Sequence, residues 1–178
     1  MLSMKKIIYL IPGLGENCDL LRYKKLAEVL QASGYEVKYI NPDWYSPLSR
    51  QVFQVEKDAI VFGFSFGAVL AYLVAQKYPC RKVIFASISP IHKFSFKELE
   101  KDYRKDIAPK IGKELAQKRG TELARDIKSI KILLKNLKTP FVTLVGEKET
   151  EMMPADFIVP QSGHRMTDKY IKCIQKLI

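Results

Sequence analysis

Cysteine, histidine and tryptophan are scarce in this sequence, acidic residues are outnumbered by basic ones, and no apolar stretch is long. Each shortage excludes something. Three cysteines, Cys18, Cys80 and Cys173, are scattered and odd in number. They suit neither a disulfide framework nor a metal site, and read as free thiols in a reducing, cytoplasmic compartment. No run reaches the length of a membrane-spanning helix. The opening residues, Met1 to Leu10, have the outline of a signal peptide. Their apolar run, however, ends at Pro12-Gly13 and has no small-residue cleavage site. Ile7–Ile11 reads instead as the first strand of a soluble protein. Nineteen acidic residues face 30 Lys and Arg, a net charge of +11. Between residues 97 and 138 the basic excess is 13 to 7. There the charges alternate with Leu99, Ile107, Ile111, Leu115, Leu123, Ile127 and Leu134, as on the solvated face of helices. No nucleic-acid-binding motif accompanies the charge, so no nucleic-acid partner is expected.

What is present is a globular core: 47% of the 178 residues are hydrophobic. Short apolar runs recur at Ile7–Ile11, Val37–Ile40, Ala59–Phe62, Lys82–Ala86, Phe141–Val145 and Phe157–Val159. Most are apolar on both faces, as strands of a parallel sheet covered on two sides are. Helical spacing lies between them, at Leu20 to Leu30, Ala68 to Lys77, Phe96 to Leu137 and Tyr170 to Leu177. Alternation of this kind predicts an α/β fold. The expected form is a three-layer αβα sandwich around a doubly wound, mostly parallel sheet of about six strands. The whole chain, 1–178, is expected to form one domain. Residues 89–139 read as a helical, Lys-rich insertion or lid-like segment, broken near Pro109 and Gly120.

One stretch carries chemistry. Gly63-Phe64-Ser65-Phe66-Gly67 lies where the buried strand Ala59–Phe62 becomes the helix that starts at Ala68. A tight strand-to-helix turn forces its central residue into an unfavourable conformation and crowds the backbones on either side. Small residues two before and two after are therefore required. The turn lifts the Ser65 hydroxyl clear and sets it at a helix N-terminus, where negative charge is favoured.

This motif resembles the nucleophile elbow of the α/β-hydrolase superfamily, and the resemblance extends from Ile7 through the final helix. It implies a minimal α/β-hydrolase fold and a nucleophile–acid–histidine order along the chain. His164, in the Gly163-His164 loop before the last helix, takes the place of the general base. His92 reads as a structural or pocket-wall residue. The acid should follow Phe141–Val145, where Val145-Gly146-Glu147-Lys148-Glu149-Thr150-Glu151 stands. Glu149 occupies the third place after the glycine, where relatives commonly carry Asp; Glu147 and Glu151 are alternatives. Two backbone N–H groups, of Leu14 and Phe66, would form the oxyanion hole. Leu14 lies in Pro12-Gly13-Leu14-Gly15, which resembles the family's His-Gly-x-Gly loop with Pro12 replacing the histidine.

The implied activity is a serine hydrolase, esterase- or thioesterase-like, acting on a small acyl ester or thioester through an acyl-enzyme on Ser65. No metal and no organic cofactor are expected. Phe64, Phe66, Trp44, Tyr45 and Phe94 are candidates for an apolar acyl pocket. Two other classes stay open at this point: a noncatalytic α/β-hydrolase-like binding protein, and a basic surface-binding module for polyanions.

Overall fold

The computed structural model describes residues 6–149 and 154–178. Six strands form one sheet: β1 (Lys6–Ile11), β2 (Tyr35–Tyr39), β3 (Ile60–Phe64), β4 (Lys82–Ala86), β5 (Phe141–Gly146) and β6 (Phe157–Val159). Every pairing is parallel, in the order β2-β1-β3-β4-β5-β6. Parallel neighbours need long crossovers. The helices supply them: α1 (Leu21–Ala32), α2 (Phe66–Lys77), α3 (Phe96–Ile111), α4 (Lys113–Ser129) and α5 (Asp168–Gln175).

The central strands β1, β3, β4 and β5 read as apolar runs because they face two cores, while the edge strands β2 and β6 are more exposed. Tyr9, Ile11, Val61, Val83 and Phe85 pack toward α2, α3 and α4. Ile8, Leu10, Ile60, Phe62 and Ile84 face the other way, against Tyr23, Leu26 and Leu30 of α1 and Tyr170 and Ile174 of α5. Phe62 and Phe85 are wholly buried. Each such side chain contributes about 1.5–3 kcal/mol by leaving water. The sheet is thus sandwiched between helical layers, as the apolar pattern predicts.

The winding reverses at the centre. From β1 the chain steps outward to β2, then returns to lay β3 on the other side of β1. Ile11 pairs with Gly63 across that junction, so the exits of β1 and β3 are adjacent. In doubly wound sheets such a reversal opens a crevice beyond the carboxyl ends of the strands.

Segment 89–139 departs from expectation in its break points. α3 opens with a reciprocal capping box between Ser95 and Glu98 and runs through Pro109 to Ile111. The break falls at Gly112, whose φ of 84° suits glycine. Gly120 is no break; it lies inside α4, where a Cβ would come 3.3 Å from the Glu100 carbonyl oxygen of α3. It lets the two helices approach closely. α4 is also clasped to the 3-10 turn Leu48–Gln51: the Ser49 N–H donates to Asp126 at 3.1 Å, and Arg50 pairs with Glu122 at 3.4 Å.

Candidate active site

Ser65 sits at the turn from β3 into α2 with φ 55° and ψ −117°, a left-handed value rare outside glycine. Its N–H donates to the Ala86 carbonyl at 2.9 Å, and the Ala68 N–H donates to the Ser65 carbonyl at 3.1 Å. The flanking glycines are steric necessities. A Cβ on Gly63 would stand 2.6 Å from Ala68 Cα, and one on Gly67 2.6 Å from the Ile11 carbonyl oxygen. Ser65 is also the N-cap of α2, yet its side chain makes no capping bond. A serine there ordinarily accepts from the first helical turn. Here the hydroxyl is 2.8 Å from His164 Nε2 instead.

His164 lies between β6 and α5, and its Nδ1 is 2.6 Å from Glu149 Oε1. The imidazole leans on the Phe64 ring, centroids 5.3 Å apart. Glu149 follows β5, and its side chain is only 3% exposed. Its second oxygen, Oε2, accepts from the Ser87 hydroxyl at 2.7 Å, the Tyr170 hydroxyl at 2.6 Å and the Gly146 N–H. Burial alone would push this carboxyl up. The donors His164, Tyr170, Ser87 and Gly146 outweigh it and hold the group below the usual carboxylate range. Tyr170 moves the opposite way, raised by burial and by the neighbouring Glu149. A hydroxyl, an imidazole and a carboxylate in hydrogen-bonded series is the arrangement nucleophilic acyl transfer requires.

The structure therefore brings Ser65, His164 and Glu149 together. Glu147 is engaged elsewhere, accepting from the Gln161 N–H at 2.7 Å. Glu151 lies outside the described residues. His92 is exposed beyond β4 and borders a separate depression with Ile127 and Leu133. Cys18 is buried, and burial pushes its thiol up to about 12, so it stays protonated. Among the described residues no three His, Cys, Asp or Glu side chains gather as a metal site.

The loop after β1 is pinned beside the elbow. The Gly13 N–H donates to the Tyr23 hydroxyl at 2.9 Å and to Glu16 at 3.3 Å, and the Tyr23 hydroxyl donates to Glu16. Glu16 is held in turn by Arg22, and its carbonyl accepts from Trp44 Nε1 at 2.8 Å. Beyond this loop lies a cavity of about 310 Å³, bounded by Leu14 and Gly15, Trp44 and Tyr45, and Tyr103, Ile107 and Lys110 of α3. Tyr103, on the cavity wall, meets the Phe66 ring of the elbow edge-on, centroids 6.4 Å apart. A larger groove of about 700 Å³ runs between the 47–50 turn and α4; Ser65, His164 and Glu149 line neither it nor the smaller cavity, which is the one bounded by the β1 loop.

Two of the candidate pocket residues do not border this cavity. Phe64 is buried on the opposite side of the sheet, between His164 and Tyr170, because side chains alternate along β3. Phe94 packs against the core ahead of α3, its carbonyl accepting from Lys128 at 2.9 Å. Trp44 and Tyr45 do line the cavity. Tyr103, Ile107 and Lys110 were hidden in the alternating charges of α3. Ser87 carried one readable signal, its place at the carboxyl end of a central strand. Tyr170 carried none, since its spacing with Ile171 and Ile174 is that of a packed helix face.

The six-stranded parallel sheet with a serine turn after its central strand is the α/β-hydrolase fold. No family model matches the chain, and no curated protein matches it in sequence. Solved structures do match in shape. The NocB thioesterase domain, in covalent complex with a fluorophosphonate nocardicin G analog, is 12% identical with a TM-score of 0.65; the match covers 97% of this chain and 94% of that one. A carboxylesterase from the thaumarchaeon Nitrososphaera gargenis is 15% identical at a TM-score of 0.63, over 98% and 87% of the two chains. MenH from S. aureus is 15% identical at 0.60, over 98% and 92%. At such identities the likeness establishes the fold.

Proposed function

We propose that this protein is a serine hydrolase that cleaves a small acyl ester or thioester through an acyl-enzyme on Ser65. The observation that carries the reading is the pair of contacts made by one imidazole: 2.8 Å to Ser65 Oγ and 2.6 Å to Glu149 Oε1. His164 takes the serine proton as Oγ attacks the carbonyl carbon, then gives it to the leaving oxygen or sulfur. Water, deprotonated by the same nitrogen, clears the acyl group. Glu149 fixes the tautomer that leaves Nε2 able to accept and stabilises the imidazolium.

The negative oxygen of the tetrahedral intermediate is assigned to the N–H groups of Phe66 and Leu14. Phe66 opens the 12-residue α2, whose first N–H groups have no partner within the helix. Leu14 follows the pinned Gly13, and no acceptor takes its N–H among the described residues. Each donor is expected to lower the barrier by about 3 kcal/mol. The acyl group enters the cavity of Trp44, Tyr45, Tyr103 and Ile107. About 310 Å³ is small for a ligand site and favours short acyl chains. The noncatalytic reading would tolerate a misaligned acid or a buried serine; Glu149 is in line with the imidazole, while Ser65 is 7% exposed.

A fluorophosphonate probe and a chain-length series of p-nitrophenyl esters test this together. The expected result is covalent labelling at Ser65 and turnover that peaks at short chains, both lost in Ser65→Ala. An unlabelled Ser65 in folded protein overturns it.

A further inference from the structure

Behind His164 lies a group of oxygens that the hydrolytic reading does not use. We propose that the buried hydroxyls of Ser87 and Tyr170 are positioning residues for the hydrolysis, holding Glu149 Oε2 in place so that Oε1 stays aimed at His164 Nδ1. This rests on the assignment of Ser65, His164 and Glu149 above.

Three observations carry it. The first is division of labour on the carboxylate. Among the described residues Oε1 meets only the imidazole, at 2.6 Å, while Oε2 takes Ser87, Tyr170 and the Gly146 N–H. A glutamate has one more rotatable bond than an aspartate, and fastening one oxygen removes that freedom. The second is burial. Tyr170 is 0% and Ser87 1% exposed, and their hydroxyl oxygens are 2.6 Å apart. Two polar groups are thus placed in the core with the carboxylate as their shared acceptor, though a leucine-like side chain would suit packing alone. The third is strain. Ser87 has φ 49°, one of three non-glycine residues with positive φ among those described, beside Ser65 and Gln161. Glycine would relax that backbone, but would lack the hydroxyl.

The two hydroxyls come from different elements, Ser87 from the exit of β4 and Tyr170 from α5. They clamp the carboxylate of the β5 loop between them. The groups facing Glu149 are therefore His164 from its loop, Tyr170 from α5, Ser87 beyond β4 and the Gly146 amide; no other charged side chain contacts it among the described residues. Losing a donor moves the carboxyl upward in pH, because donors to the ionised form favour it.

The experiment compares parent, Tyr170→Phe, Ser87→Gly and Ser65→Ala by kcat and KM for p-nitrophenyl acetate across pH. It adds NMR titration of the imidazoles, with His92→Gln to assign His164. The expected result for Tyr170→Phe and Ser87→Gly is kcat lowered about tenfold with KM unchanged. The carboxylate step sensed by the His164 ring should move up in pH, since each lost donor had favoured the ionised form. Ser87→Gly should melt no earlier than the parent, which separates positioning from folding. A lower melting temperature with the parent's kcat and carboxylate step overturns the inference while leaving the hydrolase reading intact. Turnover that survives Ser65→Ala overturns the hydrolase reading; the NMR step then still reads whether the two hydroxyls hold Glu149, and an unmoved step sinks that as well.

Discussion

His164 Nε2 lies 2.8 Å from Ser65 Oγ although the two stand 99 positions apart in the chain. If they act as one unit, their removal is not additive. Ser65→Ala and His164→Ala are each expected to lower kcat by about 10⁴-fold or more. The double variant should be no slower than the worse single one, measured with an activated ester. Losses that multiply would mean the two groups act separately.

Gly67 touches backbone that has nowhere to go. A Cβ there would stand 2.6 Å from the Ile11 carbonyl oxygen, and both sides of the clash are main chain. Gly67→Ala is expected to lose about 1–3 kcal/mol of stability by overpacking, and to spread the β1 loop away from the elbow. Gly163→Ala is the control, since its Cβ would meet only Lys148 Cβ at 4.0 Å. Denaturant melts should separate them: a lowered midpoint for the first and an unchanged one for the second.

Among the described residues Lys110 is the one cation lining the proposed acyl cavity, its ammonium 5.3 Å from the centre of the Tyr45 ring. Lys110→Glu is expected to raise KM several-fold for esters whose acyl group ends in a carboxylate. Neutral esters of the same length should be nearly unaffected. The difference should shrink with added salt, because the amine is exposed. Equal changes for charged and neutral substrates would remove the cation from substrate recognition.

Glu56 offers a test of stability against pH. Lys38, at 2.6 Å, and the Tyr9 hydroxyl, also at 2.6 Å, lower its carboxyl to about 2. A carboxyl lowered by folding adds stability that is fully present above its unfolded value and fades as pH falls toward the folded one. The melting temperature of Glu56→Gln should therefore fall below the parent's at neutral pH. The gap should close between about pH 4.5 and about 2. The amount will be modest, since the side chain is 40% exposed and solvent screens the pair. A gap that persists at pH 2 would assign the effect to shape instead of charge.

Much of the architecture was written in local pattern. Continuous apolar strands such as Ile60–Phe64 announce a sheet buried on both faces, and Gly63 and Gly67 announce a turn too tight for side chains. The pairing of Glu149 with His164 was legible because chain order and strand position narrowed the choice. Segment 96–129 was harder. Gly120 and Gly112 look alike in sequence, yet one packs a helix crossing and the other ends a helix, and only the partner helix tells them apart. The cavity was partly hidden for the same reason. Tyr103 and Ile107 look like any buried helix face, and their role arises from α3 lying beside a loop some ninety positions earlier, a relation no local spacing encodes.

Position 65 holds a residue the fold itself would rather lack. Its φ of 55° carries a penalty of about 1–3 kcal/mol for a side chain that glycine would escape. A lineage screened only for heat tolerance should thus drift toward Ser65→Gly, gaining robustness as its hydroxyl disappears.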